Sequence, residues 1–146
     1  MRKLLVTLTI GSYFAVLFYL TLFHTNRRVL SGSTVNLVPF RTIAHFFREG
    51  GWVMLVNVPG NVVAFLPVGF IVPVLRGRRT SVWEILLAGA GLSVLIETAQ
   101  YVSRRRFADV DDVLLNALGA VVGYMVFVAF KHARRFFALR FAHASG

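Results

Sequence analysis

The chain is built of long apolar runs separated by short polar joints. The runs at about 4–23, 53–75, 82–102 and 113–130 each approach the roughly 17–25 residues that a spanning helix needs. The last is the shortest, and its helix is expected to begin near Asp109, at the interface. The expected fold is therefore an all-α membrane protein, a single domain over 1–146 made of a bundle of four transmembrane helices with a tail over 131–146. Arg2 and Lys3 precede the first run as in a signal peptide. That run is too long for an h-region and no A-x-A site follows it, so it is expected to stay as an anchor.

Polar residues inside the runs fall at helical spacing. Ser93, Glu97, Gln100 and Arg104 are separated by four, three and four residues and share one face of the third helix. Asp109, Asp112, Asn116, Gly119 and Gly123 do the same on the fourth, and the second carries Asn57 and Asn61, then Pro67 and Gly69. Three helices thus each present a polar stripe near one end. Such stripes are costly toward lipid and should face one another inside the bundle. Half of the six acidic residues lie in the joint between the third and fourth runs, beside Arg104, Arg105 and Arg106.

Composition agrees with the pattern: 57% of the 146 residues are hydrophobic, above the roughly 45–50% of a soluble domain. A soluble domain this short could not hide so much apolar surface. Cysteine is absent, which excludes disulfides, thiolate metal sites and a Cys nucleophile.

The net charge of +10 changes the picture only in its placement. Arg2, Lys3, Arg76, Arg78, Arg79, Lys131, Arg134, Arg135 and Arg140 fall on one side of the expected membrane, against Arg27, Arg28, Arg41, Arg48 and Arg104 to Arg106 on the other. Nine against seven places both termini in the cytoplasm and the Asp109, Asp111, Asp112 joint outside. Basic residues beside spanning helices meet anionic headgroups of the bilayer, so nucleic acid is not expected as a partner. The tail, which alternates basic residues with Phe, reads as an interfacial helix extension.

Each stripe has a plain structural reading beside a functional one. Gly119 and Gly123 form a small-xxx-small pattern that lets two helices approach closely. Asn61, Ser93 and Asn116 can serve as interhelical hydrogen-bond glue, Asp109 can cap the fourth helix, and the arginines can pair with the aspartates. Glu97 resists that treatment. It lies about one and a half turns inside an apolar run, and an intramembrane carboxylate is by default a functional residue.

Three segments, taken in order, resemble the VanZ-like family: "NVVAFLPVGFIVP", "LSVLIETAQY" and "RRRFADVDDVLLNALGAVVGY". The family pattern falls on Asn61, Phe65, Pro67, Gly69 and Phe70; on Ser93, Glu97 and Gln100; and on Arg106, Asp109, Asp112, Asn116, Gly119 and Gly123. "NLVPF" at residues 36–40 is similar to a further family element, and the resemblance covers roughly residues 10 to 130. It implies a bacterial membrane protein of the cell envelope; the family's namesake is associated with resistance to teicoplanin-type glycopeptide antibiotics.

Three functional readings follow. In the first, the chain is a non-catalytic module holding an envelope lipid or lipid-linked precursor. Arg106 pairs with an anionic group, Asn61, Glu97 and Gln100 orient it, and Ser93 and Asn116 join the ligand-binding set. In the second, it is an intramembrane enzyme with Glu97 as acid or base and Asp109 and Asp112 as complementary carboxylates. In the third, Glu97 relays protons in a small transporter, which four helices could enclose only as a homo-oligomer. The adjacent arginines argue against a metal on Asp109, Asp111 and Asp112, and no cofactor is named by the residues.

The topology generates the first test. Cysteines placed at Ser31 or Ser103 of this Cys-free chain should label with an impermeant reagent in intact cells, and one at Ser145 should stay protected. The reverse pattern would turn the polar end inward.

Overall fold

A computed structural model describes residues 2–21, 35–77, 79–103 and 108–144. The elements are α1 (Arg2–Tyr19), β1 (Val35–Asn36), α2 (Arg41–Glu49), α3 (Gly51–Arg76), α4 (Val82–Val102), β2 (Ala108–Asp109) and α5 (Val110–Ala144). Among the described residues, three helices are long and apolar enough to cross a membrane: Gly51–Arg76, Val82–Val102 and Val110–Phe136. The first expected span appears as a shorter apolar helix, Leu4–Tyr19. Its expected last residues, 22 and 23, lie outside the described ones.

Between the first and second apolar runs the described residues hold two elements of their own. β1 pairs in parallel with β2, Val35 opposite Ala108 and Asn36 opposite Asp109. α2 then leads into α3 through Gly50 and Gly51, at φ 64° and 54°. Two successive left-handed residues make a sharp reversal that side chains with a Cβ resist. The fourth span and the tail form one helix: α5 runs without a break from Val110 to Ala144. At about 1.5 Å per residue it is far longer than the roughly 30 Å of a hydrocarbon core. The described side chains from Lys131 to Phe136 are accordingly exposed.

α5 is the centre of the packing, with α3 and α4 laid against it. Phe65, Val68, Ile85, Ile96 and Ala120 form the buried core, joined by Leu17 of α1. The α3–α5 contact is backbone on backbone. A Cβ added to Gly119 would run into the carbonyl of Val62, and one on Gly123 into that of Leu66. From the opposite side, Gly69 meets the backbone of Ala120 and Tyr124. Lipid tails are as apolar as leucine, so close van der Waals contact through small residues is what holds such helices together. Gly89 of α4 completes the arrangement, its missing Cβ falling 2.7 Å from the Cβ of Ala120.

The rest of the apolar surface points outward. Leu4, Leu8, Val63, Leu87, Leu95 and Met125 are exposed, as suits contact with lipid. Trp52 and Trp83 stand exposed at the first turns of α3 and α4, which lie at opposite ends of the bundle. Interfacial tryptophans are enriched at both membrane boundaries. At the Trp83 end, Ser81 and Glu84 form a capping box, Glu84 binds Arg76 at 2.7 Å, and the Tyr124 hydroxyl donates to the Thr80 carbonyl.

The glycine contact predicts a sharp asymmetry between substitutions. Gly123→Ala should lower the stability of the detergent-solubilised protein by about 1–3 kcal/mol, through overpacking against the Leu66 backbone. Gly91→Ala, on α4, should leave the melting temperature unchanged or slightly raised, because nothing lies within 4 Å of its added methyl.

Candidate functional site: a carboxylate cluster at one end of the bundle

The expected stripes meet where α4, α5 and α3 come together. Asn61 of α3 donates to Asp112 of α5 at 2.9 Å. Asn116 donates to the Ser93 hydroxyl at 2.8 Å, tying α5 to α4 in a wholly buried contact. Glu97 is 6% exposed, and its carboxylate accepts the backbone N–H of Asp109 at 2.9 Å. That contact fixes where the chain turns from α4 back into α5. Glu97, Ser93, Asn116 and Asp112 are all buried.

Asp109 caps α5. Its Oδ1 accepts the N–H of Asp111, two residues on, at 3.0 Å, which is the N-cap bond. The same oxygen accepts from the Asn36 amide at 3.0 Å, and that amide also donates to the Thr42 hydroxyl at 3.0 Å. The Asn36 carbonyl oxygen accepts from Val38 N–H at 3.2 Å, closing an Asx turn. Asn36 therefore binds its own turn, the start of α2 and the start of α5 together.

Asp111 is the residue that sequence spacing passed over. It stands between the two stripe aspartates, on neither stripe, and is 0% exposed. Its Oδ1 accepts from Phe40 N–H at 2.6 Å, and its Oδ2 from Thr42 N–H at 2.8 Å and Ile43 N–H at 3.0 Å. These are the backbone donors that a helix start leaves unpaired. α2 begins at Phe40 with φ 65° and no side-chain cap of its own, so a carboxylate from α5 does the capping. Charge also suits the position, because the positive end of a helix dipole meets an anion.

Gln100, one turn closer to the end of α4 than Glu97, reaches the chain just past α1. Its Nε2 donates to the Thr21 carbonyl at 2.7 Å, which fixes the amide orientation. The side chain is 1% exposed, yet its Oε1 has no hydrogen-bond partner among the described residues. A buried acceptor left in that state costs on the order of 1–3 kcal/mol. Arg106, expected to hold the anionic group, falls with residues 104–107 outside the described ones. Among the described residues no three His, Asp or Glu side chains are grouped so as to hold a metal ion.

The arrangement brings Asn61, Ser93, Glu97, Gln100, Asp109, Asp112 and Asn116 to one end of the bundle. It adds Thr21, Asn36, Thr42 and Asp111. The family model for VanZ/LLP1 matches residues 10–131, and the chain belongs to that family. No curated protein and no solved structure gives a match.

The Asp111 contact can be tested directly. Asp111→Ala should lower stability by roughly 1.5–3 kcal/mol, the range for hydrogen bonds to a charged group, and should release α2. Trypsin should then cut the reconstituted protein after Arg41 or Arg48 faster than wild type. Asp111→Asn, which keeps an acceptor but no charge, should fall between. Wild-type protection in the Ala variant would mean that α2 is held by its apolar contacts alone.

Proposed function

We propose that this VanZ/LLP1 family member is a multi-pass cell-membrane protein that binds an anionic cell-envelope ligand in the polar cluster. Both termini lie in the cytoplasm and the cluster faces outward. The observation that carries the reading is the division of labour among the polar groups. The carboxylates of Glu97, Asp109, Asp111 and Asp112 all accept hydrogen bonds that position the chain. The buried Gln100 Oε1 has none among the described residues. Acids engaged as acceptors to backbone N–H and amide groups are built to orient, and an unfilled acceptor is built to receive.

The anionic part of the ligand would meet Arg106, three residues before Asp109, whose planar fork matches a phosphate or carboxylate. A hydroxyl or amide N–H of the same ligand would reach Gln100. Asn61, Ser93 and Asn116 keep the three helices in register around it. A lipid-linked envelope precursor offers both kinds of group. Through the family's namesake, the phenotype to examine is susceptibility to teicoplanin-type glycopeptides.

Arg106→Ala and Arg106→Lys, scored for melting temperature and for teicoplanin susceptibility of a host expressing the chain, separate the readings. Ligand binding predicts unchanged melting with lost phenotype in both variants, because lysine lacks the fork. Parallel loss of stability and phenotype in Arg106→Ala, rescued by Lys, would leave a structural ion pair. Glu97→Gln adds the catalytic comparison. It should retain the phenotype, since glutamine still accepts from Asp109 N–H, whereas loss of acid–base catalysis would show as roughly a 10²–10⁴-fold fall.

A further inference from the structure

One surface at the polar end takes no part in the cluster. Asp111 and Asn36 fasten the inner side of residues 36–43, and Thr42 and Phe46 are buried beneath. On the other side Leu37, Val38, Phe40 and Phe47 are exposed. Arg41 and Arg48 are exposed as well, and seven residues apart they share one side of α2. Neither makes an ion pair among the described residues, and Glu49 is the sole acid of α2. The segment lies against α3, whose first turns expose Trp52, Val53, Leu55 and Val56.

The direction of α2 follows from its anchors. Thr42 is bound by Asp111, and Asn61, nineteen residues later, by the adjacent Asp112. Both ends of the α2–α3 stretch therefore return to the start of α5, and α2 must fold back along the first turns of α3. Its exposed side is then continuous with an apolar wall that lipid covers. A firmly held helix with phenylalanines beside unpaired arginines, on the border of such a wall, has the make-up of an element lying in a membrane interface.

We propose that the exposed side of residues 37–48 is a docking surface for anionic phospholipid of the bilayer. Arg41 and Arg48 take headgroup phosphates, for which guanidinium forks are suited, and Phe40 and Phe47 enter the acyl boundary beneath. This surface is separate from the polar cluster and does not depend on what the cluster binds.

The test uses the full chain in nanodiscs of phosphatidylcholine with a minor fraction of phosphatidylglycerol. Phe47→Cys, labelled with bimane, is quenched in turn by doxyl-labelled phosphatidylglycerol, doxyl-labelled phosphatidylcholine and aqueous iodide. The expected result is strong quenching by lipid, stronger by phosphatidylglycerol, and little by iodide. In Arg41→Gln/Arg48→Gln that preference should fall about fivefold for each arginine removed. Added salt should weaken it in the parent, a measurement that stands even if the double variant fails to fold. Quenching by iodide would place the surface in water. Protection from all three quenchers would mean that protein, such as a second copy, covers it. Equal quenching by the two lipids, or a preference indifferent to both arginines and salt, would remove headgroup recognition. Each of these results overturns the proposal.

Discussion

A carboxylate with no access to water must find its donors in the protein, and Asp111 finds three on a segment some seventy residues away. That single constraint explains why the polar end has a shape. α2 has no cap of its own and α5 begins with acids that need partners. Each supplies what the other lacks. The pairing pulls the 36–43 segment onto the start of α5, and the β1–β2 pair and the Asn36 bridge to Asp109 follow from it. Removing the charge would leave the start of α2 without acceptors for its backbone N–H groups.

The glycine contact serves the same end by a different route. Asn61 has a short side chain and reaches Asp112 at 2.9 Å because α3 and α5 touch backbone to backbone just below, at Val62 and Gly119. Had residue 119 carried a methyl, the helices would stand further apart and the amide would fall short. Helix packing and site geometry are thus one feature. The small residues set the spacing, and the polar residues immediately above use it.

Features of the site that repeat at helical spacing were legible in the sequence. Ser93, Glu97 and Gln100, and Asp109, Asp112 and Asn116, lie on common faces because three- and four-residue steps return to one side of a helix. Gly119 and Gly123 announce close packing by the same rule. What stayed hidden were the interactions without a period. Asp111 breaks the stripe, so a reading by spacing sets it aside. The start of α2 shows no Ser, Thr, Asp or Asn at its first position, because Phe40 stands there and the cap arrives from α5. A helix whose cap lies far along the chain leaves no local mark. The continuation of α5 past Phe130, by contrast, is legible in the tail's alternation of basic residues with Phe.

The same accounting bears on how a membrane cluster of acids acts. In water, four carboxylates at one site would invite proton transfer or a cation. Here donors are scarce, and the backbone has first claim on the acids: Asp109 N–H on Glu97, Asp111 N–H on Asp109, and the start of α2 on Asp111. An acid held that way has its oxygens committed to the turn that it holds. Gln100 is engaged at one end alone among the described residues. Its amide stays neutral, one end is fastened to the Thr21 carbonyl, and the other can accept a donor without disturbing the fold. The cluster therefore separates acids that hold the fold from an amide whose acceptor is open among the described residues, and the proposed binding rests on that division.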